Sequence, residues 1–485
     1  MRIHLLAMIP SIALAGTPLH VAPLRTTASM ETLELPGRES LGLLGLSSTV
    51  DLGPFYIGPG LYGAARGQRG GLFTFGLEGG GRWRPRPDSP LELEAGIFLG
   101  GGGGAGAPRQ GGGLMVRPHL TASYGWRSLR VGAGLSRVRF PNGGIDSTQA
   151  TFSVALVTDH LWSSAGGRTG SYAGPAAWVP SGFALDLARL EPAAGAHTRS
   201  GALQPALTLA GCALSRDLSA GWFRYVAVAG AGGGSSSGYA QALVGLGHRV
   251  PLGGPFGLEA RVGAGIGGGG DLDTGGGFLV SAEGAFTLDL GSWRTSAGFG
   301  LLRSPAGAFE GRGLAFRVAR RFSSPLPTEG GRPLLDADLS QWRVSSGWLS
   351  YRWAQRSHGG PGVIQLITLR ADLALNEAWY LSGEAGSAVA GGSAAYSTGL
   401  AGVGRQSRAW HHLRFFLEGA VGAGGGGSLS TGGGLLASIR AGGRLELPSG
   451  LGLDASIGRV RAPGGRLDCT TLGASLHWRM GVPAR

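Results

Sequence analysis

The sequence contains no lysine, so all 42 of its basic residues are arginine. With 29 acidic residues the formal net charge is +13, and nucleic acid is the usual partner of so basic a chain. The arginines are spread singly along the chain, without a basic run or an aromatic RNA-binding pattern. This distribution argues against a nucleic-acid surface, and we predict no nucleic-acid partner.

The sequence also has few cysteines, few charged residues and no long apolar stretch. The two cysteines, Cys212 and Cys469, cannot build a disulfide framework. Charged residues make up only 15% of the chain against 42% hydrophobic ones, which argues against a disordered polar chain. The 96 glycines follow no three-residue period, which excludes a collagen-like helix. Because no stretch approaches the roughly 18 apolar residues of a membrane-spanning helix, any membrane crossing must be made by strands.

The amino terminus has the pattern of an export signal. Arg2 and His4 precede a short apolar stretch, and Ala13-Leu14-Ala15 has the form of a signal-peptidase site. No cysteine follows Ala15, so a lipoprotein is not indicated. We predict a signal peptide over residues 1–15.

The rest of the chain contains three copies of one unit. Leu93-Glu94, Leu258-Glu259 and Leu417-Glu418 begin matching glycine-rich segments, and a proline closes each segment. The period is about 160 residues, far longer than that of a solenoid repeat. We predict repeats over residues 30–158, 181–322 and 334–480, joined by linkers at His160–Pro180 and Ser323–Pro333, which are rich in Gly, Ser and Pro.

Within a copy the hydrophobic pattern has period 2. From Phe278 to Leu290 apolar residues occupy one face, while Ser281, Glu283, Thr287 and Asp289 lie on the other. Each copy holds about eight such segments, roughly ten residues long and separated by turn signals, which is typical of transmembrane barrel strands. The predicted fold class is therefore all-β, an antiparallel transmembrane β-barrel.

The last segment, Cys469–Met480, alternates in the same way and resembles the carboxy-terminal strand of Gram-negative outer-membrane β-barrel proteins. That class usually ends on an aromatic residue, whereas Gly481–Arg485 follow here. The resemblance implies a location in the outer membrane of a Gram-negative bacterium. It also implies outer-membrane lipid and the barrel-assembly machinery as partners.

Two architectures fit the repeats. Three fused eight-stranded barrels are favoured, since the predicted inward faces are small and mixed and no plug domain is present; one barrel of about 24 strands is the alternative. If each copy closes on itself, Phe183–Arg189 pairs with Leu314–Arg320. In a single ring it pairs instead with Ala150–Val157. In either case the two cysteines are expected to be too far apart to bridge.

Charged residues recur on the predicted inward faces. An isolated buried charge is costly, so we predict that these residues form an interior ion-pair network, with a conduction or binding role as the alternative. The predicted interior charges are Glu94, Glu259, Arg261, Glu283, Glu418, Arg440 and Arg444.

Three motifs suggest chemistry but lack its context. Gly234–Gly238 matches the nucleophile-elbow pattern, yet no helix follows it. Gly268–Asp273 resembles a calcium-binding nonapeptide without the stacked series that such motifs need, and His411-His412 has no third ligand nearby. We predict no catalytic residue, metal ligand or cofactor, and no enzymatic activity.

The sequence thus predicts a non-enzymatic integral outer-membrane β-barrel of structural, surface or narrow-conduit type. A large arginine-lined porin passing anionic or small polar solutes is one alternative. A soluble secreted glycine-rich β protein is the other.

Overall fold

The computed structural model describes residues 17–86, 88–105, 110–164, 167–357 and 359–485. The predicted signal peptide, residues 1–15, lies outside the described residues. The named elements are 25 β-strands. Across the described residues, no helix has the length and apolar character needed to span a membrane.

After the two-residue strand β1 (Thr17–Pro18), the strands follow one another in three sets of eight. Ring 1 contains β2 (His20–Leu35), β3 (Glu39–Leu52), β4 (Phe55–Arg66), β5 (Phe73–Trp83), β6 (Leu91–Gly103), β7 (Met115–Trp126), β8 (Leu129–Arg139) and β9 (Asp146–Ser164). Ring 2 contains β10 (Thr169–Pro192), β11 (Leu207–Asp217), β12 (Trp222–Gly233), β13 (Ala240–Gly253), β14 (Phe256–Gly268), β15 (Phe278–Leu290), β16 (Trp293–Arg303) and β17 (Glu310–Pro327). Ring 3 contains β18 (Arg332–Ala354), β19 (Gly362–Ala374), β20 (Trp379–Ala390), β21 (Ser397–Gln406), β22 (Leu413–Gly425), β23 (Leu435–Glu446), β24 (Leu451–Arg461) and β25 (Asp468–Pro483).

Consecutive strands within a set pair antiparallel, and the first strand of each set also pairs with the last. The closing pairs are β2 with β9, β10 with β17, and β18 with β25. In ring 2, Phe183 lies opposite Arg320 and Arg189 opposite Leu314. Residues 150–157, which a single wide ring would place against ring 2, lie instead between β8 and β2 of ring 1.

The segments predicted as linkers are mostly strand, which corrects that expectation. β9 continues to Ser164, β10 begins at Thr169, and β17 runs on to Pro327. The first part of β10 pairs with β18, and the end of β9 pairs with β25, so that one continuous hydrogen-bonded sheet connects the strands of all three sets. The Pro and Gly content suggested loops, but proline is compatible with an extended strand wherever its missing N–H is not needed by a ladder.

The two ends of each ring differ. In ring 2 the connections at one end are residues 218–221, 254–255 and 291–292, and this turn end also receives both termini of the ring. At the opposite loop end the connections are longer: residues 193–206, 234–239, 269–277 and 304–309. Rings 1 and 3 have the same polarity because their strands follow the same order.

The period-2 pattern separates an inward and an outward face on each strand. In β15, Leu279 is fully buried inside the ring, whereas Phe286 is 71% exposed on the outside. The two cysteines are unbridged, with Cys212 on β11 of ring 2 and Cys469 on β25 of ring 3.

Candidate functional site

The interior of ring 2 is crossed by an ion-pair network. Glu259 is 4% exposed and accepts hydrogen bonds from Nε of Arg249 at 2.8 Å and Nε of Arg261 at 2.6 Å. Arg317 on β17 joins three acids from three other strands: its nitrogens lie 2.6 Å from Asp186, 3.0 Å from Glu283 and 3.4 Å from Glu259. The predicted interior residues of this copy therefore lie together, around an arginine that the prediction missed.

Ring 3 has an equivalent network. Glu418 accepts hydrogen bonds from Arg370 and from Nη2 of Arg440, the latter at 2.8 Å. Arg440 also donates to Glu384 at 2.6 Å. Arg444, which is 1% exposed, donates to Asp372 at 3.0 Å, and its Nε lies 3.4 Å from Asp454.

In ring 1, Glu94 accepts a hydrogen bond from Nε of Arg82 at 2.7 Å and lies 3.1 Å from Nε2 of His119. Two further buried pairs cross this ring without having been predicted: Arg25 with Glu92 at 2.6 Å and Arg117 with Glu31 at 2.9 Å. Such residues could have been predicted from the alternation of inward-facing and outward-facing positions along each strand. In β17, for example, Arg317 alternates with the outward-facing Leu314, Phe316 and Val318.

Apolar side chains fill the loop end of each ring. Ring 1 packs Phe98, Phe140 and Ile145 there, and each is at most 2% exposed. The corresponding clusters contain Tyr239 and Phe309 in ring 2, and Tyr351, Tyr396 and Leu436 in ring 3. An eight-stranded barrel is just wide enough for side chains to fill its interior. Each ring is thus occupied by an apolar layer above an ionic layer.

One group in the described part of the chain brings three metal-ligating side chains together. Ligand atoms of Glu78, Glu94 and His119 lie within 4.8 Å of one another inside ring 1. Both carboxylates already have donors, since Tyr62 donates to Glu78 at 2.8 Å and Arg82 donates to Glu94. Both carboxylates are thus already hydrogen-bonded within the protein, whereas Nδ1 of His119 is buried without a hydrogen-bond partner among the described residues.

The outward faces carry large apolar side chains exposed to the surroundings. Phe152, Phe286 and Leu314 are each more than 60% exposed. Aromatic residues concentrate where strands meet the turn end, among them Trp83, Trp126, Trp222, Phe256, Trp293, Trp379 and Trp410. An apolar band with an aromatic girdle on closed antiparallel strands is the exterior of a transmembrane barrel.

The three rings contact one another in a cycle. Strand β4 of ring 1 meets β14 of ring 2, β12 of ring 2 meets β22 of ring 3, and β20 of ring 3 meets β6 of ring 1. The third strand of every ring therefore meets the fifth strand of the next. The contacts between the rings thus repeat in step with the three copies in the sequence.

Glycines make these contacts close. A Cβ at Gly277, Gly434 or Gly113 would lie 2.3, 2.2 or 2.4 Å from a carbonyl oxygen of the neighbouring ring, on Ala64, Ala231 and Ala388 respectively. The three glycines have φ of +96°, +95° and +99°, a conformation that side chains disfavour. We call Gly113, Gly277 and Gly434 the glycine collar. Part of the high glycine content is thus explained by the close contact between the rings.

Between the rings lies a space of about 4500 Å³ bordered by residues of all three. Its walls are mainly outward-facing apolar side chains, including Leu46, Leu61, Leu187, Val228, Val403 and Val421. Residues 238, 269, 395 and 425 border it at the loop end, and Arg168, Trp293 and Asn376 at the turn end. It also reaches into the turn-end mouth of ring 3, where Arg370 and Glu384 line it. We call it the central space.

No protein-family model matches the chain, and no curated protein matches it. Solved structures with some likeness include OccK11 (OpdR) of Pseudomonas aeruginosa, at 14% identity and a TM-score of 0.23 over 96% of this chain and 98% of that one. OccAB3 of Acinetobacter baumannii gives 12% identity and a TM-score of 0.24 over 95% and 98%. The outer-membrane protein opdK of Pseudomonas aeruginosa gives 10% and 0.24 over the same shares. We assign the chain to no family on such values.

The chain's own architecture is informative. Its strands form antiparallel ladders, its exterior is largely apolar with an aromatic girdle, and buried ion-pair networks lie inside the rings. In a bilayer every backbone group must find a partner within the protein, and strands achieve this only in a closed ladder. By this architecture the chain is a transmembrane β-barrel protein of the outer-membrane type.

Proposed function

We propose that this protein is a non-enzymatic, structural or surface component of the outer membrane, built as three fused narrow barrels. The observation that carries the proposal is the pairing of β2 with β9, β10 with β17, and β18 with β25. With both edges of each set paired, no ring depends on another to satisfy its backbone groups. The rings then serve as three domains, at 20–164, 169–327 and 332–483, after the signal peptide.

The filled interiors support a structural role over a solute channel. A solute crossing ring 1 would have to displace both the Phe98, Phe140 and Ile145 layer and the ion pairs beneath it. Removing one partner of a buried ion pair is costly, so such displacement is unfavourable. We infer that the barrel-assembly machinery inserts the chain with its turn end in the periplasm, because the short turns and the chain termini of such barrels usually lie there.

A porin is the second candidate, and the arginines around the central space favour it. Arg168, Arg216 and Arg224 border a space that spans much of the distance between the two ends. An anionic or small polar solute would then pass between the rings, and not through them.

Bilayer conductance separates the two candidates. The full chain in a planar bilayer is expected to give no stable unitary current, because side chains fill each ring and the glycine collar brings the rings into contact at the loop end. The control is an Acinetobacter or Pseudomonas Occ channel reconstituted in parallel. Large, anion-preferring currents from this chain would establish the porin instead.

Autonomous folding of one ring tests the three-barrel architecture. A fragment of residues 176–327, which holds the whole β10–β17 closure, is expected to refold in detergent as a compact, protease-resistant β species with heat-modifiable migration. The control fragment, residues 207–354, has a similar length but lacks β10 and joins parts of two rings. If both fragments only aggregate while the full chain folds, the rings are not independent barrels.

Membrane fractionation tests the location. The full chain is expected in the outer-membrane fraction, because its outward faces expose large apolar side chains that lipid can cover. Recovery from the soluble periplasm would favour the secreted glycine-rich protein.

A further inference from the structure

One position in the wall of the central space differs among the three repeats. The second and third strands of each ring place two outward-facing residues directly opposite each other. They are Val50 and Ile57 in ring 1, Arg216 and Arg224 in ring 2, and Leu373 and Leu381 in ring 3. All six border the central space. Ring 2 thus has two positive charges where its sister copies have an apolar pair.

The two arginines are not neutralised by the protein. In the described part of the chain neither forms an ion pair with an acidic side chain, although most interior arginines do. Nε and Nη2 of Arg216 are buried and have no hydrogen-bond partner. Nη1 of Arg216 lies 3.5 Å from Nε2 of His160 on ring 1. This contact brings no negative charge to the arginine.

Like charges directly opposite each other on neighbouring strands destabilise a sheet. Buried guanidinium groups also lose their hydration without gaining a partner in this arrangement. An anion held between Arg216, Arg224 and His160 would remove both costs. Because Arg offers several donors in a planar fork, a phosphate group is the anion that it binds best.

The rest of the central space is suited to apolar chains. The space of about 4500 Å³, which includes the mouth of ring 3, is bordered mainly by apolar side chains, and in a membrane apolar chains would fill such a space better than water. The three groups lie close to the turn end, next to Trp222 in the aromatic girdle, which marks the depth of lipid headgroups. Acyl chains reaching from that depth toward the glycine collar would lie against apolar side chains.

We propose that the central space binds an anionic phospholipid of the periplasmic leaflet, with its phosphate held by Arg216, Arg224 and His160 and its acyl chains between the rings. This inference rests on the proposed placement of the rings in the outer membrane. Ring 2 differs from its sister copies here because one headgroup position requires only one pair of arginines. The bound lipid would serve as a shared core for the three rings.

The test compares lipid binding by the full chain and two double variants. Delipidated protein is incubated in detergent with phosphatidylglycerol or phosphatidylcholine, and the bound lipid is counted by native mass spectrometry. Both lipids carry a phosphate, but the choline group of phosphatidylcholine would bring a positive charge next to the two arginines, so wild type is expected to prefer phosphatidylglycerol by about tenfold or more. Arg216→Leu with Arg224→Leu, which installs the residues of ring 3, is expected to abolish the preference.

The matched control is Arg86→Leu with Arg332→Leu. It removes two exposed charges near the turn end outside the central space, and it is expected to keep the wild-type preference. Equal binding of phosphatidylglycerol by both double variants would overturn the proposal, as would a wild type without preference. The midpoint of thermal unfolding of wild type gives a further test. The proposal would also be overturned if inorganic phosphate alone raised this midpoint as much as phosphatidylglycerol does.

Two controls keep the result interpretable. Heat-modifiable migration confirms that each variant is folded, and the wild-type preference tests the site even if the Arg216/Arg224 variant does not fold. Outer-membrane fractionation of wild type tests the membrane placement separately. A chain that fractionates with the outer membrane but binds lipid without an arginine-dependent preference leaves the proposed function standing and removes only the lipid site.

Discussion

Replacing Gly277 by valine is expected to loosen the contact between rings 1 and 2 while ring 2 stays closed. The residue has φ of +96°, and its Cβ would lie 2.3 Å from the carbonyl oxygen of Ala64 on ring 1. A β-branched side chain at positive φ and the clash each cost about 1–3 kcal/mol, so we expect a loss of about 2–6 kcal/mol in the free energy of unfolding. The measurement is the unfolding transition of the full chain in detergent.

The location of the effect is as informative as its size. Hydrogen–deuterium exchange should accelerate in residues 64–72 and 268–277, and remain slow in the β10–β17 ladder. Gly284→Val is the matched control: it lies on the following strand, and a Cβ there would meet nothing within 4 Å. If Gly277→Val and Gly284→Val behave alike, the glycine collar does not hold the rings together.

Arg317→Leu is expected to destabilise ring 2 more than any other single charge removal in that ring. It leaves Asp186, Glu259 and Glu283 without the arginine that joins them. Removing one partner of a buried ion pair costs about 3–5 kcal/mol, because the remaining charges stay buried. Urea unfolding of the full chain in detergent measures this loss.

Two comparisons separate the charge effect from lost packing. Arg312→Leu lies on the same strand in an exposed pair with Glu310, and such pairs contribute at most about 1 kcal/mol. The triple variant Arg317→Leu, Asp186→Leu and Glu283→Leu removes Arg317 with two of its acidic partners, while Glu259 keeps Arg249 and Arg261. It should recover much of the loss, since an apolar replacement of buried ion pairs is often near neutral. Equal losses in Arg317→Leu and Arg312→Leu would show that the network contributes little.

The sequence alone determined the strands and the face on which each side chain lies. Alternation with period 2 follows directly from the pleat of a strand, so residues such as Leu279 and Phe286 could be assigned to opposite faces. The sequence left two partners open for Phe183–Arg189, and the ladder pairs this segment with Leu314–Arg320. The linkers were predicted wrongly because their glycine and proline content does not reveal that 176–180 pairs with 323–327 to extend ring 2, or that the start of β10 pairs with β18 of ring 3.

Only the tertiary structure decided what lies between the copies. The cycle of ring contacts, the central space and the collar of Gly113, Gly277 and Gly434 depend on how three similar surfaces meet, and no periodicity within one copy encodes that. Arg216 and Arg224 are unremarkable among 42 arginines until strand register places them opposite each other on an apolar wall. Local patterns specify strands because backbone geometry is local, whereas a site between barrels exists only after distant surfaces have packed together.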